Sequence, residues 1–191
     1  MKILFVCHRF PFPPKRGGKI RPFNIIQHLS RSHDVTVASL VRSKEEGEEG
    51  QGLNEHCKKI YMARVNSLAA NTRMVLRLPT LMPSSMGYFY SPKLAEDIRT
   101  EITREKFDLI FVHCSSVAQY VEDVQGPVKI LDFGDMDSQK WLEYSKFRAF
   151  PLSMGYWIEG SKMARAERAL AKKFDLCTCC LLYTSPSPRD S

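Results

Sequence analysis

Lys2-Ile3-Leu4-Phe5-Val6-Cys7, then His8-Arg9-Phe10-Pro11-Phe12-Pro13-Pro14-Lys15-Arg16, then Gly17-Gly18-Lys19-Ile20-Arg21-Pro22-Phe23-Asn24-Ile25-Ile26-Gln27-His28-Leu29, is the stretch that decides the fold. Ile3 to Cys7 is apolar at every position, which is how a strand buried on both faces of a helix-covered parallel sheet reads. Pro11, Pro13 and Pro14 then deny the backbone a regular hydrogen-bond ladder, so a loop follows. Gly17 and Gly18 open a helix, with Pro22 expected in its first turn, where a missing N–H costs little. Ile25, Ile26 and Leu29 fall on one face of that helix. A strand, a glycine turn and a helix N-terminus together form a place for an anion, because the glycines admit a ligand to the backbone and the first helical N–H groups point outward. Lys15, Arg16, Lys19 and Arg21 are expected to surround that point. The spacing is neither the dinucleotide fingerprint nor a phosphate loop ending in Gly-Lys-Ser/Thr.

The rest of the chain repeats the strand–helix alternation. Asp34 to Leu40 and Lys58 to Ala63 read as further strands, and Ser43 to Gly52 as a poor helix or a surface loop. Ser91 is a candidate cap for a helix from Leu94 to Lys106. Phe107 to His113 and Val128 to Leu131 are apolar strands, the second ending in Asp132, with a short helix from Val117 to Val124 between them. Asp137-Ser138 precedes a helical stretch containing Trp141. A long basic helix, Ile158 to Phe174, carries Met163, Ala166, Leu170 and Phe174 as its apolar stripe, and Asp175 to Cys179 reads as a last strand. This alternation predicts a doubly wound, Rossmann-like parallel sheet with right-handed crossovers. Ligands of such sheets bind beyond the carboxyl ends of the strands. Three groups are thereby expected on one rim: His8-Arg9 with Gly17-Gly18, His113-Cys114-Ser115-Ser116, and Asp132 with Asp135-Met136-Asp137.

Leu68 to Met86 differs from its surroundings, interleaving leucines and methionines with Arg73 and Arg77. Two readings stand: a basic amphipathic segment lying on an anionic membrane, or a helix with its leucines in the core and its arginines in water.

Bulk composition bounds the function. At 191 residues the chain makes one sizeable domain, and 43% hydrophobic with 26% charged residues is a globular balance. No apolar run approaches membrane-spanning length and Met1-Lys2 leads straight into a strand, so the cytoplasm is the default expectation. The net charge of +7 favours acidic partners such as nucleotide or lipid phosphates. Nucleic acid is not supported, since no aromatic-basic platform or zinc-finger spacing occurs. The six cysteines read as free thiols of a reduced compartment, and Cys177-x-Cys179-Cys180 lacks the second cluster that a metal centre needs. Asp135-x-Asp137 leaves two readings, a metal held through a diphosphate or a helix cap and acceptor contact.

His8-Arg9-Phe10-Pro11-Phe12-Pro13-Pro14 with Gly17-x-Lys19-Ile20-Arg21 resembles the opening of bacterial sugar transferases associated with exopolysaccharide and PEP-CTERM/exosortase gene systems, within family 4 of the retaining glycosyltransferases. The similarity continues through Ala118-Gln119-Tyr120, Asp132-Phe133-Gly134-Asp135-Met136-Asp137-Ser138-x-Lys140-Trp141, and Glu167-Arg168 to Phe174-Asp175. It implies that residues 1–179 are the N-terminal, acceptor-side half of a GT-B fold. The implied activity is transfer of a sugar from a nucleotide-sugar to an exopolysaccharide or a glycan or polyprenyl-linked acceptor, the donor being held by a C-terminal domain. The nucleotide-sugar is a co-substrate, and the resemblance implies no cofactor and no bound metal. It implies substrate contacts from Gly17, Gly18, Lys19, Arg21 and His8, with Asp135 and Asp137 on the acceptor side, and His113 as a sugar contact or base-like residue. A cytoplasmic enzyme, peripheral at the inner membrane, is the implied setting. The alternative kept open is a non-catalytic module of the same fold that binds a phosphorylated small molecule. Residues 180–191 depart from the family and match a translated sequencing adapter, so they are expected to be an artefactual tail.

Overall fold

The computed structural model describes residues 1–15 and 17–179; residues 180–191, where the tail is expected, lie outside them. Six parallel strands, β1 (Lys2–Cys7), β2 (Asp34–Val41), β3 (Lys59–Arg64), β4 (Leu109–His113), β5 (Val128–Asp132) and β6 (Leu176–Thr178), form one sheet in the order β3-β2-β1-β4-β5-β6. This is the doubly wound α/β arrangement, in which the strand order reverses between β1 and β4 and opens a crevice at their carboxyl ends.

Both faces of β1 are covered, as its unbroken apolar run requires. Leu4 and Val6 pack with Ile98, Ile110, Val112 and Leu131 on one face. Phe5 and Cys7 pack with Ile26, Val35 and Val37 on the other, where Phe5 stacks on Phe111 at 5.0 Å. Helix α1 (Gly17–Leu29) covers the second face through Ile26. It begins at Gly17, so Pro22 falls in the second turn rather than the first, and the Gly18 carbonyl is denied its intrahelical donor. The Glu-rich stretch after β2 is ordered as a short helix, α2 (Lys44–Glu49), capped by the Ser43 side chain accepting from the Glu46 N–H.

The segment after β3 departs most from the core-facing alternative. Pro79 and Pro83 divide it into α3 (Ser67–Leu76) and α4 (Ser84–Tyr88), since neither can supply a helical N–H. Its polarity is reversed: Ala70 is the buried residue of α3, while Leu68, Val75, Leu76, Leu78, Leu81 and Met82 are exposed. The arginines turn inward instead. Arg73 donates to the Gly87 and Tyr90 carbonyls, and Arg77 to Gln119.

Helix α5 (Pro92–Arg104) buries Leu94 and Ile98 over the sheet; Ser91 precedes it but makes no side-chain cap, its backbone N–H going to the Tyr120 hydroxyl. A 3-10 turn, Ser115–Tyr120, takes the place of the helix expected between β4 and β5. Helices α6 (Asp137–Lys146) and α7 (Leu152–Leu170) form a hairpin, with Gly160 of α7 tight against Leu142 of α6. The expected stripe of α7 is buried at Met163 and Leu170, with Phe174 beyond its end. Among the described residues no helix is long and apolar enough to cross a membrane.

Candidate functional site

One row of residues crosses the carboxyl end of the sheet in register: Cys7 beside His113, His113 beside Asp132, and Asp132 beside Thr178. Asp132 ends a strand that is otherwise hydrophobic apart from Lys129, and it is completely buried. A buried carboxylate must be met by donors, and five reach it. Arg21 of α1 forms a two-pronged pair, Nε to Oδ2 at 2.9 Å and a terminal nitrogen to Oδ1 at 2.8 Å. His113 Nδ1 lies 2.9 Å from Oδ2, Thr178 Oγ1 donates to Oδ1 at 3.0 Å, and the Gly134 N–H donates at 3.2 Å. Burial alone would push this carboxyl up, but the bonds from His113 and Thr178 and the Arg21 charge outweigh it and hold Asp132 below the usual carboxylate range.

An ionised Asp132 only accepts, so His113 Nδ1 is the donor of this bond, and in the neutral tautomer that this bond selects Nε2 is the acceptor for whatever enters. Gly134, at φ +65°, lets the chain turn there, and a Cβ on it would meet His113 Cε1 at 3.6 Å. Cys114, next to His113, is the one non-glycine residue among the described residues held at positive φ (+86°). Its thiol lies 3.1 Å from Ser116 Oγ; burial first, then the nearby Asp137 charge, push its pKa up to about 11.

These groups line a cavity of about 510 Å³ at the β1/β4 switch point. His8, Arg9, Gly18 and Arg21 form one side, His113 and Cys114 the floor, and Asp135, Asp137, Lys140 and Trp141 the other side. His8 Nδ1 is buried without a partner, and burial with the neighbouring His113 and Arg9 lowers its pKa to about 3, so the ring is neutral.

Of the residues singled out in the sequence, His8, Gly18, Arg21, His113, Asp135 and Asp137 are brought together here. Lys19 is not among the lining residues: its ammonium turns away to Glu46 at 2.5 Å and the Phe12 carbonyl. Gly17 is the first residue of α1, and Arg16 lies outside the described residues. Of the cations expected around the helix start, Lys19 and Arg21 are paired with carboxylates of the chain, and the Arg9 guanidinium lies 3.7 Å from where a Gly18 Cβ would stand. Asp137 does not cap α6. Its carboxylate turns to Ser115 at 3.5 Å, and burial raises its pKa, while Glu167 of α7 accepts from the Ser138 N–H and hydroxyl in the capping role. Asp132 was on the expected rim but had no role there; its signal was a lone acid ending an apolar strand. Trp141, stacked on Tyr156 at 5.5 Å, and Lys140 entered the sequence reading only as part of the Asp132–Trp141 resemblance, without a role at the rim. Among the described residues no group of three or more His, Cys, Asp and Glu gathers to hold a metal ion.

Against protein-family models and against curated proteins, the chain finds no match.

Proposed function

We propose that this chain is the acceptor-side half of a retaining, GT-B type sugar transferase, moving a sugar from a nucleotide-sugar to a glycan or polyprenyl-linked acceptor. The observation that carries the reading is the Asp132-braced His113 on the floor of a cavity that also meets the start of α1. Its support from sequence is the resemblance of the opening and of the Asp132–Trp141 stretch. Sugar transfer suits such a site. The donor phosphates carry charge that Arg9 and the α1 N-terminus stabilise. A sugar hydroxyl donates to His113 Nε2, and the Trp141 ring supplies an apolar face of the kind that sugar rings pack against. The role of Arg21 in this reading is to position Asp132, and through it His113, rather than to grip substrate.

The test is turnover of a nucleotide-sugar panel by the protein with its donor-binding domain in place. Asp132→Asn, which loses the charge that fixes the His113 tautomer, is expected to lower kcat by on the order of a hundredfold, with KM changed little. Transfer by residues 1–179 alone, or an Asp132→Asn protein with unaltered turnover, would overturn the reading.

A further inference from the structure

We infer that Glu159 and Glu167 of α7 are positioning residues of the cavity, each holding one of the helices that wall it. Both of those helices start without a cap of their own. α4 starts behind Pro83 and α6 behind Met136, and neither residue supplies a side-chain acceptor for the first helical N–H groups. Those donors have to be met from elsewhere, and in both cases α7 meets them. Glu159 accepts from the Ser84 N–H at 3.0 Å on one oxygen, and from the Ser85 N–H at 2.8 Å and hydroxyl at 2.7 Å on the other. Glu167, which is buried, accepts from the Ser138 N–H at 3.0 Å on one oxygen and from the Ser138 hydroxyl on the other. Among the described residues these serines are the partners of the two carboxylates, and no cation is.

What is held this way is the cavity wall. Ser85 lines the cavity from α4, and Asp137, Lys140 and Trp141 line it from α6. α4 is five residues long, too short to hold its own conformation, so what grips its start decides where it lies. In α6 the three lining residues stand three and four apart and share one face, so fixing the start of the helix aims all three together. α7 is suited to serve as the common reference. Its two glutamates stand about 12 Å apart along the axis. Met163, midway between them, is 1% exposed in the core and accepts from the Ser85 hydroxyl at 3.4 Å. Gly160 rests against α6, where a Cβ would come within 3.0 Å of the Leu142 backbone nitrogen. The two grips differ in chemistry. At Glu167 one donor is a hydroxyl, which can turn round and accept from an amide, so glutamine can replace both bonds. At Glu159 each oxygen meets a backbone N–H, which can only donate, so glutamine must leave one of them unmet.

The chain has two tryptophans, so in a Trp157→Phe background the emission of the full chain comes from Trp141. Acrylamide quenching of Trp141 is expected to rise about twofold in Glu167→Ala, and to return to the parental value in Glu167→Gln. This readout needs no reaction. The second rests on the sugar-transfer reading and uses the protein with its donor-binding domain in place. There both alanine variants are expected to lower kcat/KM about tenfold; Glu167→Gln restores it and Glu159→Gln does not. Circular dichroism checks that each variant is folded. If Glu167→Ala does not fold, Ser138→Ala, which removes the hydroxyl donor alone, is expected to raise the quenching in its place. Parental quenching in whichever of these two is folded overturns the inference, as does a Glu167→Gln protein quenched like the alanine variant. Parental kcat/KM in Glu159→Gln overturns it too. A parent that transfers no sugar sinks the sugar-transfer reading, and the quenching comparison alone then decides the inference.

Discussion

At the scale of single residues, the cavity contrasts two histidines. His113 is braced by a carboxylate, while His8 stands 5.9 Å from it, ring centre to ring centre, with a buried Nδ1 that nothing meets. The folded chain resists protonating His8, whose pKa is lowered to about 3, whereas an unfolded histidine takes the proton near pH 6.5. A depressed pKa gives stability that is present above about 6.5 and is lost as pH falls towards about 3. His8→Phe keeps an aromatic ring against Phe89 and removes the titration. Urea denaturation of both proteins at pH 7 and pH 5 is expected to show the parent losing about 1 kcal/mol more per pH unit than the variant. Equal losses would mean that His8 titrates normally. That His8 and His113 belong to one site was readable from their places after strands. That Arg21 serves Asp132 was not, because a cation three residues past a glycine pair looks the same whether it faces a phosphate or a carboxylate 111 residues away.

At the scale of elements, α1 separates what its glycines do for the fold from what they do for a ligand. Gly18 is not among the glycines at positive φ, and a Cβ there meets only Arg9 at ordinary contact distance. Gly18→Ala is therefore expected to leave Tm unchanged or raise it slightly, since alanine is the better helix former by up to about 1 kcal/mol. Turnover with the donor domain present is expected to fall about tenfold, about 1.4 kcal/mol, because the methyl group stands where a ligand meets the helix start. Equal activity in the two proteins would reduce the turn to a connection. The positions of the elements were largely legible: β1 begins one residue before its apolar run, and α7 starts six residues ahead of Ile158. What failed was polarity in the Leu68–Met86 segment. Alternating leucine and arginine does not say which side meets the protein, and here the carbonyls of Gly87, in the last turn of α4, and of Tyr90, just beyond it, draw the guanidinium inward.

At the scale of the whole molecule, stability is centred on β1, which pairs with β2 and β4 and lies between both core clusters. Native-state hydrogen exchange is expected to find the amides of Leu4, Phe5 and Val6 among the slowest, opening only with global unfolding, and those of the three-residue edge strand β6 among the fastest of the sheet. Slow exchange in β6 with fast exchange in β1 would place the centre of stability elsewhere. The strand order did not follow from strand–helix alternation, whereas the doubly wound parallel sheet did and needed no side-chain detail. The site did need it, because its central bonds join residues 21, 113, 132 and 178. Thr178 adds a matter of timing. A ribosome delivers Arg21, His113 and Asp132 well before the hydroxyl that completes the carboxylate's shell, 46 residues beyond Asp132. Until β6 docks, Oδ1 has only Arg21 and the Gly134 N–H, so the last donor of the carboxylate that braces the histidine arrives with the sheet's sixth strand.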